Sequence, residues 1–274
     1  MKYALIAPAL ILAALFTLWP LAEIVRLSLT QTNFITTQWV GLANYRAAIA
    51  DADFRLSILN SGLYIVLLVT MVVGGALVVA LTAFPLGKRW HDATRFVFYI
   101  PALSAGVIIS QVWRWIFHRD GPINWALGLV GAGPIAWASH WSTAIAMVSI
   151  VVATASMGGT TIIFLASMLA IDQSLFDAAT IDGASRTQLK TRIVIPMISP
   201  TIGMMMLIAA IAAPQVFETI YAMAPYNYTA TMTFHIYRQA FQMSRYGMAS
   251  AQAAMLLVLL AAMTYVKQRL SKNE

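Results

Sequence analysis

Long stretches without a charged residue alternate with short charged segments along this 274-residue chain. A charge at the centre of a bilayer costs about 2.5–3.5 kcal/mol on insertion scales, so membrane-spanning helices avoid one. A helix needs roughly 20 residues to cross a hydrocarbon core of about 30 Å. The charge-free stretches cover residues 3–22, 56–87, 96–113, 121–171, 193–217 and 246–266. Their lengths predict an all-α membrane protein.

Two ambiguous regions decide the number of spans. The first half of the stretch 121–171 contains glycines, prolines and three tryptophans, so we interpret it as an external loop or interfacial segment. Residues 219–237 are also charge-free, but a proline, an asparagine and several threonines favour a loop there. The sequence therefore predicts a single transmembrane domain over residues 1–274 with six helices, which cover residues 4–26, 61–84, 96–116, 141–165, 199–221 and 247–267.

Composition agrees with a membrane protein. Hydrophobic residues make up 60% of the chain and charged residues 10%, whereas soluble domains are about 45–50% apolar and roughly 25% charged. A soluble enzyme and a nucleic-acid-binding module are therefore excluded, even though the net charge is +7. The chain has no cysteine, and its four histidines lie far apart without metal-ligand spacing. We expect no metal or cofactor on the chain itself.

The distribution of lysine and arginine predicts the orientation. With six spans, both termini lie on one side, and that side receives ten of the 17 basic residues, including every lysine. Cytoplasmic loops carry such an excess, so both termini are predicted to be cytoplasmic. The first span begins like a secretory signal, but its apolar run is longer and no small-residue cleavage site follows. We expect an uncleaved anchor.

A cytoplasmic segment over residues 172–196 is predicted between the fourth and fifth spans. Ser174 and Asp177 have the spacing of a capping box. Ala178 and Ala179 favour a helix, and Gly183 is suited to end it in the left-handed conformation.

A second helix is predicted to follow the glycine. Either Asp182 or Ser185 is placed to cap it, and Pro196 is expected to end or kink it. A short surface helix of this kind has little core of its own to bury against, so we expect it to dock on a partner.

The same segment resembles the "EAA" signature of binding-protein-dependent ABC importer permeases, which is Glu-Ala-Ala, three residues, glycine, nine residues and Ile-x-Leu-Pro. Here Asp177-Ala178-Ala179 is followed by three residues and Gly183, then by nine residues and Ile193-x-Ile195-Pro196. Aspartate replaces glutamate, and isoleucine replaces leucine. The resemblance implies a coupling helix that docks an ATPase through Ser174, Leu175, Phe176, Asp177, Ala178, Ala179, Asp182, Gly183, Ala184 and Pro196.

Other segments extend the resemblance to the sugar and glycerol-phosphate branch of these permeases. Trp39-Val-Gly41-Leu-Ala-Asn44-Tyr45 is similar to their "VGLxNY" segment. Phe98–Pro101 and Trp113–Phe117 are similar to their third-span region, and Phe217–Tyr221, Ile236–Phe241 and Tyr246–Ala251 to their later part. The sequence departs from the family at two places: Ile171-Asp172 replaces Ile-Pro, and residues 224–228 replace a glycine- and proline-rich loop.

The resemblance implies a bacterial or archaeal cytoplasmic (inner) membrane protein with several partners. They are an ABC ATPase dimer that holds ATP and Mg²⁺, a second homologous permease, an extracytoplasmic solute-binding protein and the lipid bilayer, with no nucleic acid. The chain has no P-loop sequence of its own. It is therefore expected to be a transporter subunit and not an enzyme.

Three residues near the end of the predicted fifth span are candidates for the solute path: Gln215, Glu218 and Tyr221. Ionisable groups at membrane depth usually face protein or water, and aromatic rings suit sugar faces. The alternative is that Glu218 is solvated at the outer interface and Tyr221 belongs to an aromatic belt.

Two other functions compete with the importer. A secondary transporter would work without an ATPase and use acids within its spans, and a membrane enzyme would show clustered histidines or carboxylates. The sequence shows neither pattern. The solute stays open among sugars, oligosaccharides, polyols and glycerol phosphates.

Overall fold

The structure is a computed structural model that describes residues 2–32, 36–99, 106–224 and 226–270. Apart from one short β-ribbon, its regular elements in these ranges are helices. They are α1 (Ile6–Ser28), α2 (Ala43–Ala50), α3 (Ala52–Leu86), α4 (Lys88–Tyr99), α5 (Gly106–Ile116), α6 (Pro122–Leu129), α7 (Trp141–Leu169), α8 (Gln173–Ile181), α9 (Arg186–Met197), α10 (Ser199–Gln215), α11 (Glu218–Met223), α12 (Tyr226–Thr229), α13 (Met232–Tyr237) and α14 (Tyr246–Leu270).

Four of these helices are long and apolar enough to cross a membrane: α1, α3, α7 and, over Tyr246–Tyr265, α14. The pair α9 and α10 would supply a fifth span, because the two helices together meet the same criteria and are bent by 66° at their junction. The predicted third span, 96–116, runs across residues 100–105, which lie outside the described residues. Six spans therefore stay a prediction.

Two compact units make up the chain, one formed by residues 1–59 with 230–274 and the other by residues 60–229. In the first unit, the last helix α14 packs along the Trp19–Ser28 part of α1. Ala48, Phe54, Met232 and Leu256 form its buried cluster.

A small antiparallel ribbon in the first unit was not predicted. Strand β1 (Thr30–Thr32) pairs with β2 (Thr37–Trp39), with Gln31 opposite Gln38. The hydroxyl oxygens of Thr32 and Thr37 lie 2.9 Å apart at one end of the ribbon. Strands of three residues carry too little periodicity to stand out in a sequence.

The ribbon explains two of the motifs that carried the resemblance. The Asn44 amide donates hydrogen bonds to the carbonyl oxygens of Ser28 and Thr30, both at 2.9 Å. A Cβ atom at Gly247 would overlap the same Thr30 oxygen and crowd the Asn44 amide. The "VGLxNY" asparagine and the glycine after Tyr246 therefore belong to one close junction, in which only glycine leaves enough room.

In the second unit, α3, α7, α9 and α10 share one core. Its buried members come from all four helices and their connections, and include Val73, Ala76, Ala80, Phe164, Met168, Val194, Ile198 and Met205. The small side chains of α3 allow close approach of the neighbouring helices, as is common in membranes.

The prediction that residues 219–237 form a loop is wrong. Three short helices, α11, α12 and α13, occupy most of this stretch, and many of its residues are buried. Each helix has only four to six residues, which is too short to produce a detectable apolar periodicity in the sequence. The interpretation of residues 121–140 as a connecting segment agrees with the structure, where only the short α6 is regular.

Candidate functional site

Helix α8 lies in the predicted cytoplasmic segment and is capped by a residue that sequence reasoning did not select. Asp172 is the N-cap, and its carboxylate accepts a hydrogen bond from the Ser174 backbone N–H at 2.9 Å. That bond holds the pKa of the Asp172 carboxyl below its ordinary value. The predicted capping box of Ser174 and Asp177 is therefore wrong, and Asp177 instead accepts a bond from the Gln173 amide at 3.2 Å.

The glycine of the signature ends this helix as predicted. Gly183 has φ of +79°, and its N–H donates to the Thr180 carbonyl at 3.0 Å. The N–H of Ala184 reaches back to the Ala179 carbonyl at 2.9 Å. These two bonds form a Schellman motif, in which the residue after the helix must be left-handed. The spacing of Ala179 and Gly183 in the signature is thus the spacing of a helix end.

Helix α9 starts at Arg186, three residues after Gly183. Of the two predicted caps, Ser185 is used: its hydroxyl accepts from the Gln188 N–H at 3.3 Å, while the Gln188 side chain accepts from the Ser185 N–H at 2.7 Å. This reciprocal pair is a capping box. Pro196 lies in the last turn of α9, next to the 66° bend between α9 and α10. A proline removes one backbone donor and crowds the preceding turn, which favours such a bend.

An aromatic side chain packs α8 against the core of the second unit. Phe176 is half-buried, packs against the shared core, and lies with its ring centroid 5.7 Å from that of Phe84 at the end of α3. Ile171, just before the helix, packs against the same core. The attachment leaves most of the helix surface uncovered.

Two large apolar side chains lie exposed among the polar residues of α8. None of its residues is buried, yet Leu175 is 43% exposed and Ile181 is 86% exposed. Beside Ile181, a depression of about 270 Å³ is lined by Ala179, Asp182, Gly183, Ala184, Gln188, Arg192 and Ile193. The structure thus places Ser174, Asp177, Ala178 and Asp182 at the surface with these two apolar side chains.

Substitution at Gly183 tests whether the left-handed backbone conformation is the reason for glycine at this position of the signature. A Cβ atom at this position meets no other atom within 4 Å, so the backbone conformation alone opposes a side chain. We expect Gly183→Ala to lose about 1–2 kcal/mol of stability at this corner. Gly183→Asn is expected to lose less, because asparagine tolerates the left-handed region. Thermal unfolding of the two purified variants measures the difference, and equal melting temperatures would contradict it.

The candidate solute-path residues lie around a break in the chain after α10. The Gln215 amide donates to the Ile211 carbonyl at 2.7 Å, and α11 starts at Glu218 after two non-helical residues. Tyr221 is 58% exposed, with its ring stacked on Phe217 at a centroid distance of 5.7 Å. All three predicted residues are exposed in the single chain.

A glycine on α5 supports this region and was missed by the sequence analysis. A Cβ atom at Gly106 would overlap the carboxylate of Glu218. Four residues on, the Ser110 hydroxyl donates to the Thr219 hydroxyl at 3.3 Å in a buried contact. Helix α5 therefore fixes the start of α11, and Gly106 leaves the space in which the Glu218 carboxylate lies.

The segment 224–228, where the sequence departs from the family loop, contains the one-turn helix α12. The Tyr228 carbonyl accepts from the amide of the fully buried Asn60 at 2.9 Å, and the Asn60 side-chain oxygen accepts from Trp141 Nε1 at 2.9 Å. The Tyr64 hydroxyl donates to the Thr229 carbonyl at 3.3 Å, and the Tyr228 hydroxyl donates to the Ala138 carbonyl. None of these residues was predicted, because their partners lie far away in the sequence.

Comparison with known proteins identifies the class to which this geometry corresponds. No known family model matches the chain. The sn-glycerol-3-phosphate transport system permease protein UgpA of Agrobacterium fabrum is 28% identical over 273 residues, which cover 96% of this chain and 92% of that protein. The lactose transport system permease protein LacF of Rhizobium radiobacter is 26% identical over 271 residues, which cover 96% of this chain and 91% of that protein.

Solved structures give the fold. A chain of the bacterial alginate ABC transporter, solved in complex with an alginate pentasaccharide-bound periplasmic protein, matches with a TM-score of 0.86 at 22% identity, covering 99% of this chain and 94% of that chain. The chain therefore has the fold of that transporter chain. The resemblance drawn from the signature and the "VGLxNY" segment is confirmed, since these relatives are permeases of ABC transporters for sugars and glycerol phosphate.

Proposed function

We propose that this chain is the permease subunit of an ATP-driven importer for a carbohydrate, polyol or glycerol-phosphate solute. It forms half of the translocation pathway with a second homologous permease and spans the cytoplasmic membrane six times with both termini inside. A solute-binding protein delivers the solute from outside. The relatives' names, which include lactose and sn-glycerol-3-phosphate, support this solute class.

Helix α8 docks the chain onto an ABC ATPase dimer in this proposal. The observation that carries it is the exposure of two apolar side chains, Leu175 and Ile181, on a helix with no buried residue. Burying an isoleucine side chain is worth about 1.5–3 kcal/mol, so a partner that covers Ile181 gains affinity from it. The Asp177-Ala178-Ala179 part of the signature lies on the same helix.

Movement of the ATPase reaches the membrane through a chain of rigid contacts. ATP binding on the partner closes its dimer and displaces α8. Phe176 then transmits the displacement to the core shared with α3, and the hydrogen-bonded corner at Gly183 transmits it to α9 and α10. Rigid-body tilting of these helices opens the pathway to one side of the membrane at a time.

Gln215, Glu218 and Tyr221 are proposed to contact the solute. An exposed aromatic ring beside a carboxylate and an amide offers both an apolar platform and hydrogen-bond partners for hydroxyl groups. Their exposure in the single chain agrees with a location on the wall of a path completed by a second chain.

The proposal is tested by reconstituting the chain with its ATPase, second permease and binding protein in proteoliposomes. ATP-dependent uptake of lactose or sn-glycerol 3-phosphate is the expected result. An ATP-independent uptake driven by an ion gradient would support the secondary transporter instead. Recovery of the chain without any ATPase subunit would contradict the proposed docking.

Substitution of Tyr221 tests the solute path within the same assay. We expect Tyr221→Ala to raise the apparent KM for uptake about tenfold, because loss of an aromatic platform worth roughly 1.4 kcal/mol changes binding by that factor. Trp125→Ala is the matched control, since Trp125 is an aromatic residue on α6 with 68% exposure. An unchanged KM in the Tyr221 variant would favour the interpretation of Tyr221 as a residue of the aromatic belt.

A further inference from the structure

A buried asparagine at the start of the second unit connects three parts of the chain. Asn60 has no exposed surface, and both ends of its amide are used. An indole N–H only donates and a backbone carbonyl only accepts. The bonds from Trp141 Nε1 and to the Tyr228 carbonyl, both at 2.9 Å, therefore fix the orientation of the amide. Residue 60 thereby ties α3 to both α7 and α12.

Helix α12 depends on such bonds for its position. It has four residues, about one turn, and an isolated turn is not stable on its own. Two of its backbone carbonyls accept bonds from α3, through Asn60 and Tyr64, and its Tyr228 hydroxyl donates to the Ala138 carbonyl, just before α7. The helix is thus held as a fixed segment immediately after α11, which carries Glu218 and Tyr221.

Asn227 lies in this segment, and its side chain is exposed. An amide offers two donors and one acceptor with two lone pairs, which suits the hydroxyl groups of a sugar or glycerol derivative. Its neighbour across the short connection is α11, where the Tyr221 ring is exposed. An aromatic platform followed by an amide on a segment held in place is suited to bind a hydroxyl-rich solute in a defined orientation.

We propose that Asn227 is a specificity-determining residue for the solute, and that Asn60 and Trp141 are positioning residues that hold it in place. This inference rests on the proposed import of a hydroxyl-rich solute. Asn60 itself, being fully buried, does not touch the solute and acts through α12. A leucine at position 60 is similar in size and can make neither hydrogen bond.

The positioning is tested first, by a readout that needs no solute. The chain contains no cysteine, so Asn227→Cys provides one labelling site for a fluorescent probe in the assembled transporter. We expect Asn60→Leu and Trp141→Phe to lower the anisotropy of that probe. The first removes the bond to the Tyr228 carbonyl of α12, and the second removes the bond that orients the Asn60 amide. Trp137→Phe is the matched control, since it removes the bond from Trp137 Nε1 to the other buried asparagine, Asn124, at 3.3 Å. Unchanged anisotropy in both test variants would overturn the positioning role.

The specificity is tested by uptake kinetics with lactose and with sn-glycerol 3-phosphate as the probes. We expect Asn227→Ala to raise the KM about fivefold at unchanged maximal rate, the effect of one lost hydrogen bond of about 1 kcal/mol. Asn60→Leu is expected to raise the KM similarly, and the double variant no further, because both substitutions remove the same contact.

The possible outcomes test the inference about Asn227 and the proposed solute class separately. The inference would be overturned if the KM effects of the two substitutions multiply in the double variant. It would also be overturned if the Asn60 and Trp141 variants melt at a lower temperature with unchanged KM, which would leave a purely structural role. If the native transporter takes up neither probe with ATP, the proposed solute class fails, and the anisotropy measurement still decides whether Asn60 positions α12.

Discussion

Replacing Ile181 by glutamate is expected to release the ATPase from an otherwise folded permease. The side chain is 86% exposed at the end of α8, so the substitution costs the isolated chain almost nothing. In the complex it removes an apolar contact worth about 1.5–3 kcal/mol and places a charge in an interface that is proposed to be apolar. We therefore expect recovery of the ATPase with the purified variant to fall by about tenfold or more.

A matched control separates this effect from a general effect of added charge. Leu129→Glu introduces the same carboxylate at a leucine that is 69% exposed at the end of α6, away from α8. The control is expected to retain the ATPase fully. Full recovery of the ATPase with the Ile181 variant would show that α8 does not dock through this side chain, and equal losses in both variants would point to misassembly.

Replacing Phe176 by alanine is expected to separate ATP hydrolysis from transport. Phe176 is the half-buried contact between α8 and Phe84 on α3. Truncating a buried phenylalanine costs about 3–5 kcal/mol, and the partial burial here reduces that to roughly 1–3 kcal/mol. The exposed docking surface stays intact. We expect the ATPase to bind and hydrolyse ATP, while solute uptake falls about tenfold or more because α8 moves without displacing α3.

Three further variants show whether the contact with Phe84 is responsible. Phe84→Ala removes the other half of the pair, and the double variant is expected to lose little more than either single one, as residues in direct contact are not additive. Phe176→Leu keeps an apolar anchor and is expected to restore part of the uptake. Parallel loss of ATPase recovery and uptake in Phe176→Ala would contradict a coupling role and indicate a damaged docking surface.

Sequence patterns were sufficient for the long spans because burial in lipid leaves a direct trace in the chain. The predicted spans 61–84, 141–165 and 247–267 fall within α3, α7 and α14. Their ends differ since a helix can continue past the apolar stretch: α3 begins at Ala52 and includes Asp53 and Arg55. Charge-free length predicts the part in lipid, and cannot show how far the helix continues into water.

The signature segment shows where local rules succeed and fail. Spacing to near neighbours predicts the helix end at Gly183 and offers Asp182 or Ser185 as the next cap; the structure has the glycine as predicted and uses Ser185. The N-cap was assigned to Ser174 because its spacing to Asp177 resembles a capping box. Asp172 takes that position instead, since its carboxylate reaches the Ser174 N–H. Two residues that can both cap are not distinguished by spacing alone.

The contacts that hold the candidate solute-path residues in place could not be predicted from the sequence. Asn60 and Tyr228 are 168 residues apart, and nothing near Asn60 in an apolar span indicates a distant partner. Gly106 is likewise inconspicuous until the Glu218 carboxylate is seen to lie against it. Polar contacts of this kind are specified by the packing of whole helices, which a single sequence does not reveal.

The turn between α8 and α9 has a mechanical consequence. Three successive backbone N–H groups, those of Gly183, Ala184 and Ser185, are each committed to a hydrogen bond within the turn. The connection therefore has little freedom to change its length or shape. A displacement of α8 is expected to rotate α9. Residues inserted there are expected to loosen the connection, so that a displacement of α8 no longer reaches α9.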